Sequence, residues 1–273
     1  MKRFALITAL LLAPGLLAAQ APQGDAYRVM RDVAYRGATG DPYTDSMCRL
    51  DISYPQGATG CPVIVWFHGG GLTGGHREIP AALQGQGIAV AGVGYRFSPR
   101  VRVADCIDDA AAAVAWVYRH IGELGGSPSK IYLAGHSAGA YLVSMLGLDR
   151  QYLARHGVAA DSMAALIPYS GNAVTHLACR AERGIPPTQP VVDSMAPLYH
   201  VRRDTPPILI LSGDRAMEMY GRYEENAYLW RMFQVVGNPG VQLRELDGFD
   251  HGTMVGPGHF LALRFIRERE NIR

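Results

Sequence analysis

Residues 135–139 read Gly-His-Ser-Ala-Gly, and the serine at their centre, Ser137, is the first residue whose setting suggests chemistry. An apolar, β-branched run at 131–134 leads in, and a small-residue stretch that suits a helix follows. In that strand–turn–helix context a G-x-S-x-G motif holds its serine on a sharp turn with the hydroxyl exposed. Glycines flank it because the turn brings backbone segments too close for a Cβ. By itself the motif is weak, expected about 0.15 times by chance in a chain of this composition, so its weight depends on partners elsewhere. His68-Gly69-Gly70-Gly71, directly after the apolar run 63–67, supplies one. Acyl transfer builds negative charge on a carbonyl oxygen, and glycine-rich backbone can aim N–H donors at that charge without side-chain obstruction.

A serine hydroxyl also needs a base to take its proton. The chain holds 9 histidines, so the choice needs an argument. Asp250-His251-Gly252 follows a strand-like run at 241–246, and a loop leaving a strand there can bring His251 to Ser137. His68 belongs to the glycine loop and is assigned to holding it; His136 lies inside the serine turn; His120 and His156 read as surface or core positions. His176 and His200 fall in an irregular segment and could line a pocket, and His259, opening the last helix, is the serious competitor. The third member is an acid that orients the imidazole and stabilises its charged form. Ser212-Gly213-Asp214 follows the run 208–211, which makes Asp214 the choice; Glu218 is the alternative, and Asp247 and Asp250 read as local to the His251 loop.

These residues need a frame. Short alternating stretches at 27–35 and 48–54 read as strands, and the continuous apolar runs at 63–67 and 88–93 read as strands covered on both faces. A short helical stretch is predicted at 80–86, and helices at 105–121, 138–148, 218–236 and 259–269. Asp105, Asp108 and Asp109 crowd the start of the helix 105–121, where the helix dipole favours negative charge. Strands at 131–134, 165–167, 208–211 and 241–246 alternate with those helices, which indicates an α/β protein with a mostly parallel sheet covered on both faces. Residues 172–206 mix prolines, Cys179 and histidines without a period, and are read as a small insertion over one end of the sheet, a partial lid.

H-G-G-G, G-H-S-A-G, S-G-D and D-H-G, in this order and on these elements, resemble the α/β-hydrolase superfamily. Within it the chain is similar to esterase/lipase enzymes related to the hormone-sensitive-lipase group and to BD-FAE/arylformamidase-like carboxylesterases, over about residues 45–268. The resemblance implies an α/β-hydrolase fold and a serine hydrolase acting on carboxylic esters of small or medium acyl groups, with Ser137 as nucleophile, His251 as general base and Asp214 as acid. It also implies an oxyanion hole from the amides of Gly70, Gly71 and Ala138. An arylformamidase or other amidase uses the same machinery, and a non-catalytic binding module on this fold is the reading from a different class. The chain departs from the hormone-sensitive-lipase pattern in lacking a helical N-terminal cap and the D-P-L-x-D-E motif around the acid. In many relatives the acid sits a few residues beyond the glycine, a place held here by Ala216. Carbohydrate esters are a further expectation, with Tyr141, Tyr169 and Tyr199 as possible stacking platforms and core packing as the alternative use of at least two.

Residues 1–21 read as a secretory signal: Lys2 and Arg3, an apolar run to Ala19, then small residues. The expectation is cleavage of 1–19, a single domain over 22–273, and a secreted or periplasmic protein without a stable membrane anchor, since the run is short of the ~20 residues that span a bilayer. In that oxidising setting the four cysteines Cys48, Cys61, Cys106 and Cys179 can form disulfides, and Cys48–Cys61, flanking a Pro/Gly turn, is the first pairing expected. There is no C-x-x-C and no H-x-x-x-H, so neither a metal nor another cofactor is expected. A net charge of +2 with scattered basic residues gives no case for a nucleic-acid partner, leaving a small-molecule ester as the expected ligand. Arg264, Arg267, Arg269 and Arg273, alternating with Glu268 and Glu270, read as a solvated helix face.

Overall fold

Val63, Val65 and Phe67 pack into one apolar layer while Ile64 and Trp66, between them, pack into another. A strand points successive side chains to opposite faces, so an unbroken apolar run belongs in a sheet covered on both sides. The structure, a computed structural model describing residues 26–219 and 221–272, bears this out. The expected leader at 1–19 lies outside the described residues.

In chain order the elements are β1 (Tyr27–Ala34), α1 (Pro42–Met47), β2 (Arg49–Pro55), β3 (Cys61–Phe67), β4 (Ala89–Val93), α2 (Val103–His120), β5 (Gly126–His136), α3 (Ala138–Leu148) and α4 (Arg150–Arg155). There follow β6 (Ala165–Tyr169), α5 (Leu177–Ala181), β7 (Ile208–Gly213), α6 (Arg222–Val235), β8 (Val241–Leu246) and α7 (Val255–Glu270). The strands form one 8-stranded sheet in the order β1-β2-β4-β3-β5-β6-β7-β8. From β4 to β8 every pairing is parallel, and β1 and β2 add an antiparallel edge. Apolar residues of α2, α3 and α6 fill one face; Ala262, Leu263, Phe265 and Ile266 of α7 fill the other.

Some boundaries differ from the sequence reading. The stretch 80–86 makes only a 3-10 turn at Ala81–Leu83, and the six-residue or shorter helices α1, α4 and α5 were not anticipated. Isolated segments of that length carry too little periodicity to be recognised. More consequential, α6 begins at Arg222 rather than at Glu218, leaving Glu218 in the preceding turn.

Two further expectations are corrected. All four cysteines are free and buried. Cys48 immediately precedes β2, whose Leu50 pairs with Val93 at one end of β4, whereas Cys61 heads β3, whose Val63 pairs with Ala89 at the other end. The five residues of β4 put those ends roughly 13 Å apart at 3.3 Å per residue, beyond the reach of a disulfide. Asp109 is not a first-turn dipole charge, because α2 starts at Val103. It is fully buried and paired with Arg36 at 2.7 Å and Arg96 at 2.8 Å, which ties α2 to the segments after β1 and β4.

Candidate active site

The C-terminal ends of the parallel strands converge where open α/β sheets bind ligands. At the end of β5 the chain turns at Ser137, whose φ of 55° lies in the left-handed region, and α3 starts at the next residue. The Ser137 N–H donates to Tyr169 O at 2.8 Å, holding the turn against β6. The flanking glycine has a steric cause: a Cβ on Gly139 would lie 2.0 Å from Phe67 O. Packing between β3 and the turn therefore decides the residue type beside the serine.

His251, on the loop after β8, completes the first expected contact. The Ser137 hydroxyl donates to His251 Nε2 at 2.9 Å. His251 Nδ1 faces Glu218 Oε1 at 2.6 Å. A carboxylate only accepts, so Nδ1 carries the proton and Nε2 presents its lone pair to the serine, as a general base requires. His136 Nε2–H donates to the His251 carbonyl at 2.8 Å and fixes the loop that carries His251.

The acid is the main correction. Asp214 does not touch His251: its two carboxylate oxygens accept the N–H groups of Ala216 and Gly248, each at 2.8 Å, and it serves as a tie between the loops after β7 and β8. Glu218 reaches the imidazole because a turn, with its N–H donating to Asp214 O at 2.8 Å, folds it back over the end of β7. Its carboxylate is buried, accepting from Ser170 Oγ at 2.6 Å, Gly213 N at 3.2 Å and Met219 N at 2.9 Å besides His251. Burial pushes the Glu218 carboxyl up, but the hydrogen bonds from His251, Ser170 and Met219 outweigh it and bring the pKa to about 2. Among the described residues the Asp250 carboxylate accepts from Gly252 and Thr253 alone, local to its loop as expected.

Ser170 was missed by the sequence reading. It ends β6 with φ of 52°, fully buried, and its Oγ lies 2.6 Å from Glu218 and 3.0 Å from His251 Nδ1. The only sequence signal was a hydroxyl residue before Gly171 at a strand end. The Arg222 guanidinium donates to the Ser170 carbonyl, and Asn226 Nδ2 donates to Gly171 O at 3.0 Å, so α6 braces this corner.

The glycine loop lies where an oxyanion site would be. A Cβ on Gly69 would sit 3.4 Å from Ser137 Cβ, and Gly70 has φ of 116° with its Cβ position blocked 2.1 Å from Gly74 O. His68 braces the loop as read from sequence: it is buried, 2.6 Å from Gly69 O through Nδ1, and stacked on Tyr95 at 4.5 Å between centroids. Gly70, Gly71, Ser137 and His251 open onto one cavity of about 670 Å³. Ala138, the third expected donor, is the first residue of α3, whose opening N–H groups have no intrahelical acceptor.

The insertion supplies the facing wall through Leu177, Ala178, Ala181, Ile185 and Pro187. His176 lines the same cavity, whereas His200 lies apart, its Nε2–H donating to Ser194 O at 2.8 Å. His259 is excluded as the base by its position, packed against Trp66 at 5.0 Å and Tyr169 at 5.6 Å between ring centroids. Of the tyrosines considered for sugar stacking, Tyr141 and Tyr169 are fully buried, and Tyr199 is exposed away from the cavity lining. Among the described residues no cluster of three or more His, Cys, Asp or Glu side chains could hold a metal ion.

Comparison with known proteins agrees with this frame. Residues 50–166 match the BD-FAE family model. The chain is 39% identical over 124 residues to carboxylesterase NlhH of Mycobacterium tuberculosis, covering 42% of this chain and 36% of that protein. It is 36% identical over 101 residues to the probable isoprenylcysteine alpha-carbonyl methylesterase ICMEL1 of Arabidopsis thaliana, covering 35% and 21%. The matched region thus spans between about a fifth and about a third of the length of these curated relatives. A truncated carbohydrate esterase from gut microbiota superposes with a TM-score of 0.74 at 18% identity over 92% of this chain and 99% of that one. The apo form of Thermogutta terrifontis esterase 2 does so with 0.68 at 24% identity over 90% and 95%. At such identities the structural likeness is one of fold, and it extends over nine-tenths of the chain, well beyond the family-model match. That shared sheet, with the serine turn and glycine loop at its strand ends, gives the chain the α/β-hydrolase fold, and within it residues 50–166 resemble the BD-FAE family.

Proposed function

We propose that this protein is a serine hydrolase of carboxylic esters with small or medium acyl groups, using Ser137, His251 and Glu218. The observation that carries the reading is the continuous chain of hydrogen bonds from Ser137 Oγ through both nitrogens of His251 to Glu218, opening onto a cavity beside the glycine loop. Ser137 Oγ attacks the ester carbonyl carbon while its proton passes to His251 Nε2, and Glu218 stabilises the imidazolium so formed. The amides of Gly70, Gly71 and Ala138 receive the developing oxyanion. His251 then returns the proton to the departing alcohol. Water, deprotonated by the same nitrogen, attacks the acyl-enzyme and releases the acid. The esterase names of the relatives support ester cleavage as the reaction.

Ser137→Ala should lower turnover of p-nitrophenyl acetate by about 10⁵-fold or more, since members of such a unit fail together. A fluorophosphonate probe should label the wild type at Ser137 and leave the variant unlabelled. Wild-type turnover in the variant would overturn the reading. Export is part of the proposal, and it rests on the leader at 1–19; N-terminal sequencing of protein recovered from the periplasm or medium should begin at Gln20.

A further inference from the structure

The lining of the Ser137 cavity is apolar or neutral except at one residue. Arg222, the first residue of α6, is the single Lys, Arg, Asp or Glu among the described residues that line it. His136 and His176 do not add charge near neutral pH: burial lowers them to about 4 and about 3, and the Arg222 charge contributes to both shifts. Arg222 is only 5% exposed; burial lowers its pKa, Glu225 and Glu218 oppose that through space, and among the described residues neither carboxylate comes within the 4.0 Å of an ion pair. Its guanidinium has five N–H donors, and the one hydrogen bond it makes to the described residues goes to the Ser170 carbonyl.

Glu225 and Glu218 act on Arg222 only through space, without an ion-pair contact, and their carboxylates are held by other donors. Glu218 holds His251, Ser170 and the backbone at Gly213 and Met219. Glu225 accepts through Oε2 from Ala173 N at 2.8 Å, Val174 N at 3.2 Å and Asn172 Nδ2 at 3.4 Å. Burying a cation without a paired anion is costly, and a planar guanidinium matches a carboxylate in a two-pronged arrangement. Across the cavity Leu177, Ile185 and Pro187 offer a hydrocarbon surface.

Resting on the ester-hydrolase reading, we propose that the substrate is an ester that carries a free carboxylate, and that Arg222 binds this second group while Ser137 attacks the ester. The cavity thus selects a half-ester or an ester of a carboxylated alcohol, with a short apolar spacer against the insertion wall. Arg222 is a specificity-determining residue in this scheme, and its bond to Ser170 couples the occupied carboxylate site to the corner that holds Glu218.

The test uses two isosteric pairs, each differing by carboxylate against carboxamide. Monophenyl adipate and phenyl adipamate place the group on the acyl side; 4-acetoxybenzoate and 4-acetoxybenzamide place it on the alcohol side. Wild-type kcat/KM should favour the carboxylate by about 10- to 100-fold in at least one pair, the range of a hydrogen bond to a charged group. In Arg222→Met that ratio should fall to about 1 or below, and Arg222→Lys should keep part of it. Taking ratios within each variant cancels general damage from the lost Ser170 contact, and the wild-type ratios decide even if Arg222→Met does not fold. Equal efficiency within both pairs for the wild type, or the same preference in Arg222→Met, overturns the carboxylate site and leaves the hydrolase reading intact. If none of the four esters is cleaved and Ser137 resists fluorophosphonate, the hydrolase reading falls and this inference with it.

Discussion

A single methylene-and-turn difference separates the acid that sequence order favours from the acid that meets the histidine. Asp214 leaves β7 too early and spends both oxygens on backbone amides; Glu218, four residues on, lies back over the strand end against His251 Nδ1. Glu218→Gln should therefore lower kcat/KM on p-nitrophenyl acetate by about 10³- to 10⁴-fold, as losing the orienting carboxylate does in other triads. Asp214→Asn should change it less than about 10-fold; the reverse ranking would sink the assignment. Ser170 supports Glu218 through a charge-assisted hydrogen bond, so Ser170→Ala should cost about 10-fold in kcat. Ser170→Gly, which also relieves the left-handed backbone, should show the same loss if the hydroxyl is what matters. Recovery of wild-type kcat in the glycine variant would point to the backbone alone.

Elements enter the chemistry by fixing where their ends fall. β5, β7 and β8 run parallel, so the loops carrying Ser137, Glu218 and His251 all emerge from one edge of the sheet. α3 packs so closely on β3 that only glycine fits at position 139. On the same face of the sheet, α2 is held by the buried Asp109 between Arg36 and Arg96. Removing one partner from such a group leaves buried charge unpaired, so Asp109→Ala should destabilise the fold by about 3–5 kcal/mol. Asp109→Asn, which keeps the shape, should also lose most of that stability if charge pairing is the cause. Urea unfolding measures both, and a loss below about 1 kcal/mol in each would show that the cluster contributes little.

At the scale of the whole molecule, four buried histidines should make stability depend on pH in the acid range. Burial lowers His68, His136 and His259 to about 4 each and His176 to about 3. Their folded pKa values lie below the unfolded value near 6.5, so between about pH 6.5 and 4 the unfolded chain binds more protons. Stability is then full above about pH 6.5 and falls as pH drops through that window, by up to about 1.4 kcal/mol per pH unit for each histidine. Glu218 acts lower down: its pKa is depressed, so its contribution is present above about 4.5 and is lost toward 2. Urea unfolding at pH 7, 6 and 5 should show the steep fall, and His259→Gln, remote from the serine, should reduce the slope by one proton's worth. An unchanged slope in that variant would remove His259 from the account.

The strand pattern, the serine turn, the glycine loop and the histidine loop were all legible in the residue order, because each depends on local properties: apolar runs, positions that exclude a Cβ, and a histidine just past a strand. That Cys48 and Cys61 stay unpaired was not, since the antiparallel path of β2 and β3 on either side of β4 sends these sequence neighbours to opposite ends of that strand. The acid, its Ser170 support and the buried Arg222 belong to the same category. Each acts through contacts between segments tens of residues apart, and no local pattern encodes the path of the 214–218 turn or the place where α6 begins. Residue order by itself determined an α/β-hydrolase frame with Ser137 and His251 in it. Only the tertiary structure decided that Glu218 rather than Asp214 holds the histidine and that the buried Arg222 lines the same cavity as the serine, because carboxylate reach and charge placement are set by how distant loops fold back on one another.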